Sequence, residues 1–457
     1  WDQDALGARY RLKGHKMWIS AGDHELTDNI VHLVLAKIPD EHGRLPAGVK
    51  GISLFIVPKF LVQLPSLTVR DEGFAAAVMP GPRNDVALAG LNHKLGWRGT
   101  SNALLNFGEG TYPVPSAAGQ SGAPSAGAVG YLVGQPGRGL QYMFHMMNEA
   151  RINVGMAATM LGLAGYEASL DYARTRTQGR ALNATGKDVA TAPLRIIEHA
   201  DVKRMLLAQK AYCEGALALE LFCARLVDEQ HTAEPAAADD ARLLLEVLTP
   251  IAKSWPSEWC LEANSLAIQV HGGYGYTRDF PVEQYWRDNR LNMIHEGTHG
   301  IQAMDLLGRK VLMEKGRGLQ LLAARMLATA QQADTLAAEI ATPGAGSLHQ
   351  HAQALRAAVT QIGEATATAW ASGNPAQALA NAVPYMQAFG HTVLAWIWLD
   401  VAVAAWRNDA TQAIAISVGK TSATAYFFNY ELPKASAWLQ VVRQCDLTCS
   451  QTPEDAF

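Results

Sequence analysis

The stretch Asn292-Met293-Ile294-His295-Glu296-Gly297-Thr298-His299-Gly300-Ile301-Gln302 lies a short distance after His271-Gly272-Gly273-Tyr274-Gly275-Tyr276. It sets one carboxylate, Glu296, beside a glycine and a hydroxyl, downstream of a glycine-rich turn. Glycine lets backbone approach a ligand with no Cβ in the way. A carboxylate held in an apolar site can have its pKa raised until it serves as a general base near neutral pH. Together they point to a bound cofactor facing a substrate whose proton is removed. The Gly-Gly-x-Gly follows helical sequence. It is therefore not a dinucleotide fingerprint, which follows a strand.

Working outward, residues 1–107 read as β structure. Val31-His32-Leu33-Val34-Leu35-Ala36 and Gly51-Ile52-Ser53-Leu54-Phe55-Ile56-Val57 are short apolar runs stopped by Pro39 and Pro58. Ala103-Leu104-Leu105-Asn106-Phe107 is a further strand candidate. Residues 108–130, rich in Gly, Ala, Ser and Pro, read as a mobile loop, because they bury too little apolar surface to offset ordering entropy. From Gly139 the apolar period becomes helical, through Met143, Met146, Met147, Val154, Met156, Met160, Leu161 and Leu163. The spacing predicts a helical domain over 131–313, broken at 180–193 and at 229–240, the second break being a solvated loop. It predicts an additional helical domain over 314–457, with helices at 317–340, 349–371 and 412–430. The fold class is α+β.

The 457 residues allow two to four domains, and 49% hydrophobic content supplies a large core. A net charge of −4 and a pI near 6.4 favour neither nucleic acid nor an anionic membrane. Five scattered cysteines, an odd count with no zinc-like pairing, argue against a disulfide framework. With no signal peptide in view, a reducing cytoplasm is the expected location. Thr392 to Trp406, interrupted by Asp400, is too short for a membrane span and reads as a buried helix.

At these motifs the chain resembles the acyl-CoA dehydrogenases, FAD enzymes that oxidise acyl-CoA thioesters to 2-enoyl-CoA. The resemblance rests on Gln269 to Tyr276, Arg287-Asp288 and Ile294 to Gln302. Three further segments match in order: Lys13 to Ser20, Asn148-Glu149-Ala150-Arg151, and Tyr172 to Arg180. Asn84-Asp85-Val86, His93-Lys94-Leu95-Gly96 and the Gln178-Gly179-Arg180 ending look most like a large bacterial subgroup. That subgroup includes the 3-methylmercaptopropionyl-CoA dehydrogenases and carries an extra C-terminal helical domain. The implied architecture is a partial middle β domain, then a helical bundle, then the additional helical domain. The family pattern also places a helical domain and opening β strands ahead of Trp18. Here the sequence starts at Trp1, so it is a fragment, a truncated gene product, or a chain completed by another polypeptide. Poor solubility is the expected consequence of the uncovered apolar surface.

The resemblance implies a role for each candidate residue. Glu296 is the base that removes the α-proton while the β-hydride passes to flavin N5, and its backbone N–H helps hold the thioester carbonyl. Some relatives keep the base just before the arginine matched by Arg151. That slot is Ala150 here, and Glu149 lies about 100° around the helix. Arg151 supports the base and the CoA side of the pocket, and Asn148 contacts CoA. Trp18 and Ser20, two apart on a strand and so on one face, meet the flavin ring. Arg176 and Gln178 reach the pyrophosphate and adenine end of FAD across a dimer interface. Gln269, Gly272 and Gly273 meet the adenosine end, and Thr298 and Gly300 the phosphates. His295, where the family usually has tyrosine, either packs or tunes the base. No metal is implied. The implied partners are an acyl-CoA substrate, an electron-transferring flavoprotein, and a second copy of the chain in a homodimer or dimer of dimers. Two rival functions share this fold: an oxidase returning electrons to oxygen, and a non-catalytic binding or assembly subunit.

Overall fold

A computed structural model of the chain describes residues 2–4, 6–63, 79–115, 123–184, 186–187, 190–339, 345–408 and 414–457. The chain divides into two compact units, Trp1–Met147 and Asn148–Phe457.

The first unit is built from antiparallel strands. β1 (Asp2–Asp4), β2 (Gly7–Leu12), β3 (Gly14–Ser20), β4 (Val31–Lys37), β5 (Ile52–Pro58), β6 (Phe60–Gln63), β7 (Met79–Arg83), β8 (Val86–Leu91), β9 (Asn102–Phe107) and β10 (Ala128–Val133) follow in chain order. One sheet has the order β1-β2-β10-β5-β4, a second β3-β9-β8, and β6 pairs with β7. The two larger sheets share a core of Leu12, Val34, Phe55, Val57, Val86, Ala103, Leu105, Phe107 and Ala128. The three strands expected from apolar runs are all present.

The loop expected at 108–130 is corrected at its end, and with it the β boundary at 107. Ala128 and Val129 are fully buried in β10, the central strand of the larger sheet. Two buried polar side chains upstream order this segment. Asn84 Nδ2 donates to the carbonyls of Pro58 and Val129, and its Oδ1 accepts from Val129 N–H. Asp85 accepts from the N–H groups of Gly110, Tyr112 and Gly127. Residues 116–122 of this stretch, and the Thr342-Pro343-Gly344 stop, lie outside the described residues.

The second unit is helical. α1 (Gly139–Thr175) enters it. α2 (Ala200–Thr232) and α3 (Pro235–His271) form a long hairpin, followed by α4 (Val282–Asn289) and α5 (His299–Gly308). α6 (Arg317–Glu339), α7 (Ala345–Ala369), α8 (Pro375–Leu379), α9 (Ala382–Asn408), α10 (Ile414–Tyr426), α11 (Leu432–Arg443) and α12 (Thr448–Gln451) complete it. The solvated loop expected at 229–240 shrinks to Ala233-Glu234. Pro235 takes the first helical position of α3, where its missing N–H costs nothing, and alanines follow. The helical parts expected at 131–313 and 314–457 pack on each other. One continuous core runs from Ile152 to Val442, so the alanine-rich last third is packed into the bundle rather than standing apart. Trp398 Nε1 donates to the Ala211 carbonyl of α2, and Trp396 Nε1 to Thr329 Oγ1 of α6. α9 is long and apolar enough to cross a membrane, and 78% of its apolar window is buried in the unit. The five cysteines are free thiols, Cys213, Cys223 and Cys260 buried and Cys445 and Cys449 exposed.

Glu220, on α2, lies at the meeting of α1, α2 and α3. It is fully buried and neither oxygen has a hydrogen-bond partner among the described residues. Burial, and then the nearby Cys260, pushes its carboxyl well above the ordinary value of 4.5. Pro256 has no N–H to give the Ala252 carbonyl, which faces the same gap as Glu220 Oε1 beside Gly155. The fold therefore carries Glu220 as a neutral acid. Its stabilising effect is complete below the unfolded carboxyl value and is lost as pH rises towards the folded one. Each pH unit costs about 1.4 kcal/mol. Glu220→Gln keeps a donor and cannot ionise. Urea unfolding should show it more stable at pH 7 by about 1 kcal/mol or more, with no gain at pH 4. An equal gain at both pH values would contradict the neutral-acid assignment.

Candidate functional site

Two groups of candidate residues lie in the helical unit. The first lines a cleft of about 680 Å³ that gathers Arg176, Gln178, Gln269, Gly272 and Gly273. One wall is the chain leaving α1. Gln178 N–H donates to the Leu194 carbonyl, Ile196 N–H to that of Arg176, and Leu194 N–H to that of Gly179. His199 Nε2 donates to the Gln178 carbonyl at 2.7 Å and fixes that turn. The opposite wall is the end of α3. Gly272 closes the helix with φ +61°, a conformation that disfavours any residue with a Cβ. A Cβ built on Gly272 or Gly273 would meet no atom within 4 Å, so this backbone faces open space. A ligand can approach it closely.

The cleft also has an aromatic wall. Tyr172 stacks on His271 with centroids 4.4 Å apart, and Phe280 packs edge-on against Tyr172. His271 Nδ1 donates to the Ala267 carbonyl at 2.8 Å. Burial lowers the His271 pKa, which keeps the ring neutral at pH 7. The sequence reading gave the remaining histidines no role. His271 and His199 are structural parts of this cleft. His271 lies inside the segment Gln269 to Tyr276, whereas His199 lies outside every matched segment and carried no signal. The arrangement of an exposed guanidinium, open glycine backbone and stacked rings suits an aromatic ligand carrying a diphosphate.

The second group surrounds Glu296, between α4 and α5. Glu296 is exposed, and its backbone is left-handed with φ +54°. Beneath it lies Lys253 of α3, fully buried, whose Nζ donates to the carbonyls of Asn292 (2.8 Å) and Gly297 (2.7 Å). Gln302 Nε2 donates to the Glu296 carbonyl at 2.9 Å. Burial is the largest cause that lowers Lys253 to about 8, partly offset by the Glu296 charge. A chain of buried amides supports the loop. Asn292 Nδ2 donates to Asn289 Oδ1, Asn289 Nδ2 to Asn264 Oδ1, and Asn264 Nδ2 to the Leu161 carbonyl of α1.

Thr298 holds the N-cap position of α5 without bonding through its side chain, and Gly300 has open space around its Cα. His299 sits close by, 3.1 Å from Ser254 Oγ. Burial, then Lys253 and Arg290, lowers its pKa to about 4. His295 Nδ1 donates to the Leu291 carbonyl at 3.1 Å. Arg151 of α1 is 6% exposed and pairs through Nη1 with Asp305 Oδ2 of α5 at 3.0 Å. Its charge is thus committed inside the unit, below α5. Asn148 is half-buried near the start of the unit, and Glu149 is exposed.

Trp18 and Ser20 belong to the first unit. Strand alternation predicts a shared face, and both residues are exposed, with the half-buried Ile19 between them. β3 carries a register shift between Lys16 and Ile19, and Trp18 there has φ +67°. A bulge re-aims side chains out of the pleat. Trp18 is 70% exposed, and Ser20 Oγ accepts from Asn102 Nδ2 at 3.3 Å. Among the described residues, no cluster of three or more His, Cys, Asp or Glu side chains is arranged to hold a metal.

Comparison with known proteins agrees with this anatomy. Residues 137–312 match the family described as acyl-CoA dehydrogenase, C-terminal domain, and residues 322–453 match acetyl-CoA dehydrogenase C-terminal like. The chain is 36% identical to 3-methylmercaptopropionyl-CoA dehydrogenase of Ruegeria pomeroyi over 85% of its own length and 58% of that protein's. It is 32% identical to the broad-specificity linear acyl-CoA dehydrogenase FadE5 of Mycobacterium tuberculosis, over 100% of this chain and 70% of that protein. The fold is similar to that of Caenorhabditis elegans ACDH-11 in complex with C11-CoA (TM-score 0.67, 20% identity, 98% of this chain and 64% of that one). The sequence thus spans little more than half to about two thirds of the relatives it matches. With both helical segments matched in order and a relative at 32% identity matched over 70% of its own length, the chain belongs to the acyl-CoA dehydrogenase family, in the subgroup with the additional C-terminal helical region.

Proposed function

We propose that the protein oxidises an acyl-CoA thioester to the 2-enoyl-CoA, with FAD as cofactor and Glu296 as the base. The observation that carries the cofactor assignment is the gathering of Arg176, Gln178, Gln269, Gly272 and Gly273 in one cleft. Arg176 and Gln178 would hold the diphosphate and adenine end, and the glycine backbone and Gln269 the adenosine. Thr298 and Gly300 would meet the phosphates near the base. Trp18, a strained and exposed aromatic, would cover the ring system, with Ser20 at its polar edge. When bound, FAD supplies the acceptor for the hydride equivalent leaving the β-carbon. Glu296 takes the α-proton, and its N–H holds the developing charge on the thioester oxygen. Arg151, paired with Asp305, serves as buried support for the base's surroundings, and Asn148 would lie on the CoA side. Arg176, Gln178 and Gln269 are exposed, which fits service to the flavin of a neighbouring subunit in a homodimer. Electron-transferring flavoprotein is the proposed electron acceptor.

The purified protein should carry a flavin spectrum that bleaches when an acyl-CoA is added. Release of peroxide without any added acceptor would instead identify an oxidase. Arg176→Ala removes a charged contact and should weaken FAD binding by roughly 10–100-fold while leaving KM for the thioester unchanged. An equal loss of both, followed by flavin fluorescence titration and steady-state kinetics, would contradict the assignment of Arg176 to the cofactor.

A further inference from the structure

We propose that Lys253, with Gln302 as a second tether, is a positioning residue that holds the Glu296 carboxylate in place by locking its left-handed backbone. The inference rests on Glu296 being the base. A glutamate at φ +54° pays no glycine-like exemption, and such a conformation persists only where its surroundings over-determine it. Here the determinants are visible. Lys253 Nζ bonds the carbonyls of Asn292 and Gly297, one before and one after the base. Gln302 Nε2 bonds the carbonyl of Glu296 itself. Three carbonyls of the loop, those of Asn292, Glu296 and Gly297, are therefore fixed from below, while the side chain of Glu296 is left exposed above.

A lysine is an expensive way to satisfy two carbonyls. It is fully buried, and desolvation opposes its charge. An asparagine or a water would satisfy the same acceptors at lower cost. What the ammonium adds is tetrahedral reach to both sides of one residue, on a stem rooted in the long helix α3. The neighbouring amide chain, Asn292 to Asn289 to Asn264, fixes the entry to the loop on the same helix. Gln302 closes the other side. A Cβ on Gly297 would press on Gln302 Nε2 at 2.6 Å, so this glycine is what lets the second tether approach.

The test uses the full chain with its flavin and follows hydrogen exchange together with turnover. In Lys253→Met, amides of residues 292–302 should exchange about tenfold faster or more, while those of the α2–α3 core are unchanged. The same variant should lose about 10–100-fold in kcat, with KM and flavin content kept, because a base displaced slightly still leaves the binding residues in place. Unchanged exchange across 292–302 would overturn the proposal. Should the variant loosen the whole core, Gln302→Met decides the matter. It should speed exchange in the same segment by about threefold or more, and no change there overturns the clamp. Glu296→Gln separates the two ideas. Turnover surviving in that variant refutes the base, whereas the exchange result bears on the clamp alone.

Discussion

Glu296→Gln should retain FAD and lose roughly 10²–10⁴-fold in turnover. The amide has the same size and shape, so the left-handed loop and its tethers from Lys253 and Gln302 are undisturbed. Glu296 is exposed, and no core packing depends on its carboxyl. The cleft residues Arg176, Gln178, Gln269, Gly272 and Gly273 stand on other segments, so cofactor affinity should hold. What is lost is the ability to accept a proton from carbon. The measurement is the rate of flavin bleaching by an acyl-CoA under anaerobic conditions, with flavin content quantified beforehand. Turnover at the wild-type rate would remove Glu296 from the chemistry, and a colourless variant would show that it is needed for cofactor binding instead.

Some of this was legible in the sequence because chemistry there departs from periodic core-building. Glu296, Gly297 and the Gly272-Gly273 pair interrupt helical patterning, and a carboxylate between such glycines does not belong to periodic core-building. The strands Val31–Lys37 and Ile52–Pro58 were legible because short apolar runs bounded by prolines have few other solutions. Order in 123–130 was not legible. It comes from Asn84 and Asp85, 42 to 45 residues upstream of the groups they bond. The bulge at Trp18 was hidden for a related reason. A positive φ at a non-glycine residue is imposed by the neighbouring strand and leaves no mark in the pattern. Lys253 looks like an ordinary cation on a helix. Its burial exists only once carbonyls 39 and 44 residues downstream fold over it. The alanine-rich last third reads as a separate bundle by composition. Small residues on a helix equally allow close packing, and tryptophans such as Trp398 use that to reach α2.

Two glycine-to-alanine substitutions should move stability in opposite directions. Gly155→Ala should destabilise the helical unit by roughly 2–3 kcal/mol. Gly363→Ala should stabilise it by about 0.5–1 kcal/mol. Both glycines lie inside helices, Gly155 in α1 and Gly363 in α7, so intrinsic propensity favours alanine at each by a similar amount. Packing decides the sign. A Cβ on Gly155 would fall well inside contact distance of the Ala252 carbonyl and Glu220 Oε1, and 3.0 Å from Glu220 Cδ. The carbonyl belongs to α3 and cannot swing away as a flexible side chain would. Glu220 is fully buried and has nowhere to go. α1 would have to lift off the α2–α3 hairpin, opening the neighbouring contact where Gly162 meets Cys213 and Cys260. Gly363 is exposed, and a Cβ there meets nothing within 4 Å. Only the unfolded-chain entropy changes, and it changes favourably. Urea unfolding of the two variants beside the parent supplies the comparison. A Gly155→Ala protein as stable as the parent would mean that α1 does not approach α3 as closely as its backbone indicates.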